Sequence, residues 1–150
     1  MRFEKVSHLP VSAEETWLWH CRPGAFARLS PPWLSVESGA VVAPPALGSR
    51  VTLRLGRRPF TVEWVAEHTR VEPGRGFVDE QVRGPFRSWR HRHEFEPDGE
   101  GGCFLRDDIE FAIRGGRAGQ LLAGAAVRGS LDRTFAYRHQ VTAADLEFHA

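Results

Sequence analysis

Residues 84–95 read GPFRSWRHRHEF, and within them Trp89, His91, His93 and Phe95 alternate with Ser88, Arg90, Arg92 and Glu94. Alternation at period two predicts a strand, because successive side chains of a strand point to opposite faces. The arginines and the glutamate claim the solvent face. The covered face then carries two imidazoles between an indole and a phenyl ring.

The same patterning predicts elements along the rest of the chain. Phe3–Leu9 reads as a first strand, ended by Pro10. Ser12-Ala-Glu-Glu15 has the form of a capping box and starts a short helix running to about His20. Pro23 suits the first turn of a second short helix, which Pro31 and Pro32 stop. From Trp33 to Phe111 short links rich in Gly, Pro and Asp separate strand-like runs: 33–42, 48–55, 60–68, 76–82, the opening stretch, and 103–113. From about Ala118 the alternation stops, and Leu121, Leu122, Val127, Leu131 and Phe135 recur at helical spacing among small residues. A strand, two short helices, about six strands and a long C-terminal helix make an α+β protein with its helices on one face of an antiparallel sheet. The length of 150 residues suits one domain spanning residues 1–150.

Composition narrows the partners more than the chemistry. Twenty basic residues against 19 acidic give a net charge of +1, so nothing recommends a nucleic acid or an anionic membrane surface. The N-terminus lacks the apolar core of a signal peptide, and no run reaches the roughly 18 apolar residues of a membrane span. Cys21 and Cys103 match no metal spacing. A reduced, cytoplasmic protein with no membrane insertion is the expectation.

The stretch LPVSAEETWLWHCRPGAFARLSPPW resembles the opening of a bacterial branch of the START-like, birch-pollen-allergen-like (SRPBCC) superfamily. FVDEQVRGPFRSWRHRHEF, RDDIEF and LDRTFAYRHQVTAADLEFH match the same branch, so the likeness runs nearly the full length. The resemblance implies a helix-grip fold: a curved sheet of six to seven strands around the long helix, enclosing an apolar cavity. It also implies a hydrophobic or lipid-like small molecule as ligand. Relatives stand alone or beside an epimerase-like domain, which makes an epimerase-like protein a candidate partner. An exposed edge, the first or second strand, leaves homodimer formation open.

Polar residues on inward faces are the candidate chemistry. Phe60, Val62, Trp64 and His68 share a parity, as do Phe77, Asp79 and Gln81, and Leu105, Asp107, Ile109 and Phe111. Trp64, Trp89, Phe95 and Phe111 are the expected ligand walls, and Asp79, Gln81, His91, His93 and Asp107 the polar anchor. Indole N–H groups buried among them would need partners. The hairpin through PDGEGG puts Asp107 beside His91 or His93, according to a register the sequence leaves open. Such a pair suits hydrogen bonding to a ligand. It suits acid–base work of the cyclase or dehydratase kind equally well, with His91, His93 and Asp107 the catalytic candidates.

A metal is the sharper alternative. His-X-His on a strand directs both imidazoles one way, and a nearby carboxylate would complete a three-ligand site. The remaining ligands depend on that same register, so no metal or other cofactor is assigned. His20 and His68 read as structural. No nucleophile signature and no phosphate-binding glycine loop appears. Arg70, Arg75, Arg83, Arg87, Arg90 and Arg92 alternate with glutamates and read as a solvated sheet exterior. Binding is therefore favoured over catalysis.

Overall fold

The computed structural model describes residues 1–38, 43–57 and 59–147. Strand β1 (Arg2–Leu9) leads into helices α1 (Ala13–His20) and α2 (Ala25–Arg28). Strands β2 (Val36–Ser38), β3 (Arg50–Arg57), β4 (Phe60–Glu72), β5 (Gly76–Arg83), β6 (Ser88–Pro97) and β7 (Cys103–Ala112) follow, and α3 (Gly116–Glu147) ends the chain. All seven strands form one antiparallel sheet in the order β1-β7-β6-β5-β4-β3-β2, curled into a half-barrel. Its edges are β1 and β2.

Local chemistry accounts for most boundaries. Ser12 accepts from the Glu15 backbone N–H at 3.2 Å while the Glu15 carboxylate accepts from the Ser12 N–H at 3.0 Å, closing the capping box that starts α1. Helix α2 begins only at Ala25, capped by Gly24 in the left-handed region, so Pro23 precedes the helix rather than occupying its first turn. Strand β2 is confined to Val36–Ser38. Trp33 precedes it, half-exposed, edge-on to Tyr137 at 5.3 Å and beneath the Arg133 guanidinium. Residues 39–42 of the expected strand 33–42 lie outside the described residues.

Two register shifts shape β4, between Val65 and Ala66 and between His68 and Arg70. The second, with Thr69 as the extra residue of β4, leaves Val71 facing inward together with Trp64 and His68, a combination that strict alternation does not allow. The outer face carries opposite charges, as expected: Arg90–Glu80 at 3.1 Å, Arg92–Glu94 at 3.4 Å, Arg83–Glu63 at 3.2 Å and Arg70–Glu72. Exposed pairs of this kind add little stability individually.

Helix α3 buries Gly124, Leu131, Phe135, His139, Thr142 and Leu146, a stripe at helical spacing. Leu121 and Leu122, which the sequence places on that stripe, are 84% and 88% exposed. Leu122 falls on the opposite side of the helix, and Leu121 lies beyond the point where α3 meets the sheet. The stripe packs chiefly on β1 and β7, while α1 packs on β6.

Two apolar clusters result. One joins Leu9, Trp17, Trp19, Phe95, Cys103, Leu105, Val141 and Leu146; the other joins Phe3, Trp89, Ile109, Phe111, Leu131 and Phe135. Burial of a large apolar side chain contributes roughly 1.5–3 kcal/mol, so these clusters are the main source of stability.

Candidate functional site

A polar belt crosses the inner face between the two apolar clusters. Along β6 the order is Trp89, His91, His93, Phe95; along β7 it is Phe111, Ile109, Asp107, Leu105. The register sets His93 opposite Asp107 and His91 opposite both Ile109 on β7 and Asp79 on β5. Helix α3 adds His139, four residues after Phe135 on the packed stripe, and β1 adds Ser7.

Asp107 is the hub, and the structure answers the open register by giving it both histidines. His91 Nε2 lies 2.7 Å and His93 Nδ1 2.8 Å from Asp107 Oδ1, and His139 Nε2 lies 2.7 Å from Oδ2. With Nε2–H donating to the carboxylate, His139 Nδ1 can accept from the Ser7 hydroxyl at 2.8 Å. Asp79 sits on the far side of the same imidazoles. Its Oδ2 is 3.5 Å from His91 Nδ1 and 3.4 Å from His93 Nε2, longer than good hydrogen bonds. The ligand atoms of Asp79, His91 and His93 all lie within 4.8 Å of one another.

Burial and charge oppose each other throughout the belt. Burial disfavours a charged His93, but Asp107 and Asp79 outweigh it and push its pKa up to about 9. His91 goes the other way, lowered by burial and by the neighbouring His93 charge. Burial works against an ionised Asp107, yet the His93 charge and the hydrogen bonds from the histidines hold its carboxyl well below the usual range. Asp79 is lowered too, its burial overcome by His91 and His93. The belt thus holds two carboxylates and an imidazolium beside a neutral imidazole.

The other candidates divide. Trp64 meets Trp89 edge-on at 4.9 Å and Phe86 at 5.7 Å, and its Nε1–H is buried without a hydrogen-bond partner. Trp89 and Phe111 are buried in the same cluster. Phe95 belongs to the other one, against Trp17 and His20, so the four expected wall residues do not form one wall. Gln81 spends its amide on the backbone of Phe86, donating to the carbonyl at 3.0 Å and accepting from the N–H at 3.3 Å, which pins the β5–β6 turn. His20, bonded to the Thr16 carbonyl, is lowered by burial to about 4; His68 is tied to Ser49.

The belt itself is closely covered, and the uncovered apolar surface lies beside it on β3 and β4. Because α3 lies mainly over β1 and β7, the inward residues of β3 and β4 stay partly uncovered. Val51, Leu53, Leu55 and Trp64 are half-buried, and Val62 and Phe60 are exposed, Phe60 at 86%. Two surface depressions lie on the sheet, the first of them lined in part by His93. One of about 260 Å³ opens among Arg70, Glu72, Val78, Arg92 and Glu94, and one of about 450 Å³ among Met1, Gln81, Arg87, Trp89 and Glu110.

A curled antiparallel sheet gripping a long C-terminal helix, with two short helices after the first strand, defines the helix-grip fold of birch-pollen-allergen-like proteins. Residues 7–146 match the family described as a domain of unknown function (DUF8410), and the chain belongs to that family.

Among solved structures it is similar to norcoclaurine synthase from Thalictrum flavum in complex with dopamine and hydroxybenzaldehyde. That match has 12% identity and a TM-score of 0.73, covering 100% of this chain and 88% of that one. It is also similar to Ara h 8.0201, at 13% identity and a TM-score of 0.64, covering 94% and 97%. At such identities the likeness shows the fold alone. A nucleoside-diphosphate sugar epimerase from Corynebacterium glutamicum matches at 28% identity and a TM-score of 0.68, over 97% of this chain but 29% of the epimerase. None of the curated proteins matches. Among the described residues no helix is long and apolar enough to cross a membrane.

Proposed function

We propose that the protein binds a hydrophobic or aromatic small molecule between the sheet and α3, along the inner face of β3 and β4. The observation that carries this reading is the uncovered apolar run Val51, Leu53, Leu55, Val62 and Trp64 on the concave side of the sheet. Leaving such side chains half-wet forgoes roughly 25 cal/mol for each Å² that a ligand would cover. The unpartnered Trp64 N–H supports a ligand with an acceptor beside its apolar body. Asp79 and His93, whose side chains are 17% and 11% exposed, are the belt members best placed to anchor a polar end.

The test uses 1-anilinonaphthalene-8-sulfonate. The folded protein enhances its fluorescence, and Leu55→Asp or Val62→Asp, at positions open enough to tolerate the change, weakens binding at least fivefold. Equal binding by both variants, or no binding by the parent protein, defeats the reading.

Acid–base catalysis of the cyclase or dehydratase kind is a second reading, supported by His93 between two carboxylates. An activity retained by the His91→Ala/His93→Ala double variant excludes it. The epimerase likeness supports the bacterial branch found beside epimerase-like proteins, and co-purification with a separately encoded epimerase-like protein tests that partner.

A further inference from the structure

We infer that Asp79, His91 and His93 form a binding site for a divalent transition-metal ion, zinc being the best match, with Asp107 and His139 as its outer support. The inference is independent of the ligand-binding reading. It begins with distances that hydrogen bonding does not explain. Asp79 Oδ2 stands 3.5 Å from His91 Nδ1 and 3.4 Å from His93 Nε2. A tetrahedral zinc with bonds of about 2.0–2.1 Å holds its ligand atoms about 3.3–3.4 Å apart. Asp79 Oδ2 therefore stands at ligand-to-ligand spacing from each imidazole nitrogen, and the three atoms lie within 4.8 Å of one another.

The tautomers agree. The other nitrogen of each ring, His91 Nε2 and His93 Nδ1, sits 2.7 and 2.8 Å from Asp107 Oδ1. A ring whose proton points at Asp107 turns its other nitrogen toward Asp79 and the ion; His91 offers a lone pair there, and at His93 the ion displaces the Nε2 proton of the metal-free imidazolium. Carboxylates that accept the far N–H of a ligating histidine are the usual outer shell of such sites, fixing ring orientation. Here one carboxylate serves both rings and is braced by His139 at 2.7 Å, which is in turn held by Ser7.

Charge and access fit as well. Two inward carboxylates within reach of the same pair of imidazoles make a cation favourable. The 17% and 11% exposure of Asp79 and His93 leaves a route in. Two imidazoles and one carboxylate select a transition ion over magnesium or calcium, which prefer all-oxygen shells.

The test uses chelator-treated full-length protein titrated with Co²⁺ and Zn²⁺. One equivalent of Co²⁺ should produce visible d–d absorption that Zn²⁺ abolishes. Asp79→Asn should weaken Zn²⁺ binding at least tenfold while circular dichroism stays unchanged. His8→Gln, which removes the exposed His8–Asp98 pair as a competing site, should leave affinity unchanged. Absence of the cobalt bands in the parent protein overturns the inference without any variant. So does Zn²⁺ affinity that follows His8 rather than Asp79.

Discussion

The Asp107 hub makes a quantitative prediction for Asp107→Asn in metal-free protein. The side chain is 5% exposed and lies within 2.8 Å of three imidazole nitrogens. Asparagine keeps the volume but loses the charge, and its NH₂ group must face a histidine N–H that now lacks an acceptor. A hydrogen bond to a charged group contributes about 1.5–3 kcal/mol, and breaking a buried ion pair costs about 3–5 kcal/mol because a partner is left uncompensated. The three contacts share one carboxylate and do not add independently, so about 3–5 kcal/mol is expected for the substitution. In a chain of this size that lowers Tm by about 6–20 °C, at 2–4 °C per kcal/mol. Asp79→Asn removes only the 3.4 and 3.5 Å contacts of a carboxylate partly open to solvent, and should cost about 1 kcal/mol. Urea unfolding followed by tryptophan fluorescence, in EDTA, measures both. A cost below about 0.5 kcal/mol for Asp107→Asn, or equal costs for the two variants, refutes the hub as the organiser of the belt.

Stability should peak near pH 6.5 in metal-free protein. His93 titrates at 6.5 unfolded and about 9 folded, so its contribution is complete below 6.5 and is lost as the pH rises through 9, roughly 3–4 kcal/mol at about 1.4 kcal/mol per pH unit. His20, pushed down to about 4, has the opposite sense and loses stability as the pH falls from 6.5 toward 4. Urea midpoints between pH 4 and 10 check both limbs, and His93→Gln should flatten the alkaline one. Gly76→Ala should cost at least about 2 kcal/mol, since φ is +144° and a Cβ would collide with the His93 carbonyl oxygen; Gly129→Ala, inside α3 with ordinary helical backbone and open space around it, should cost under about 1 kcal/mol. Comparable urea midpoints for the two glycine variants would contradict this account of the β5–β6 pairing.

The capping box at Ser12 and the inward face of β6 were legible in the sequence because each depends on residues within a few positions of one another. Period-two alternation sorts His91 and His93 from Arg90 and Arg92 whatever the rest of the chain does. His139 follows Leu131 and Phe135 at helical spacing, and that spacing is the signal that places it on the buried stripe. Leu121 and Leu122, assigned to the same stripe by spacing, fall past the end of the helix–sheet contact and on the opposite side of the helix, respectively.

Sequence alone determined which side chains share a face: the order of elements, the charged exterior and the pair of inward imidazoles all follow from local periodicity. Tertiary structure decided what those faces meet. The β6–β7 register brings Asp107 to both imidazoles, α3 brings His139 from 32 residues away, and the irregularities of β4 turn both His68 and Val71 inward. Phe95 and Trp89, six residues apart on one face, fall into separate clusters because the belt lies between them. The tilt of α3 over β1 and β7, which leaves β3 and β4 uncovered, arises from packing summed over the whole sheet. No short window of residues carries that sum.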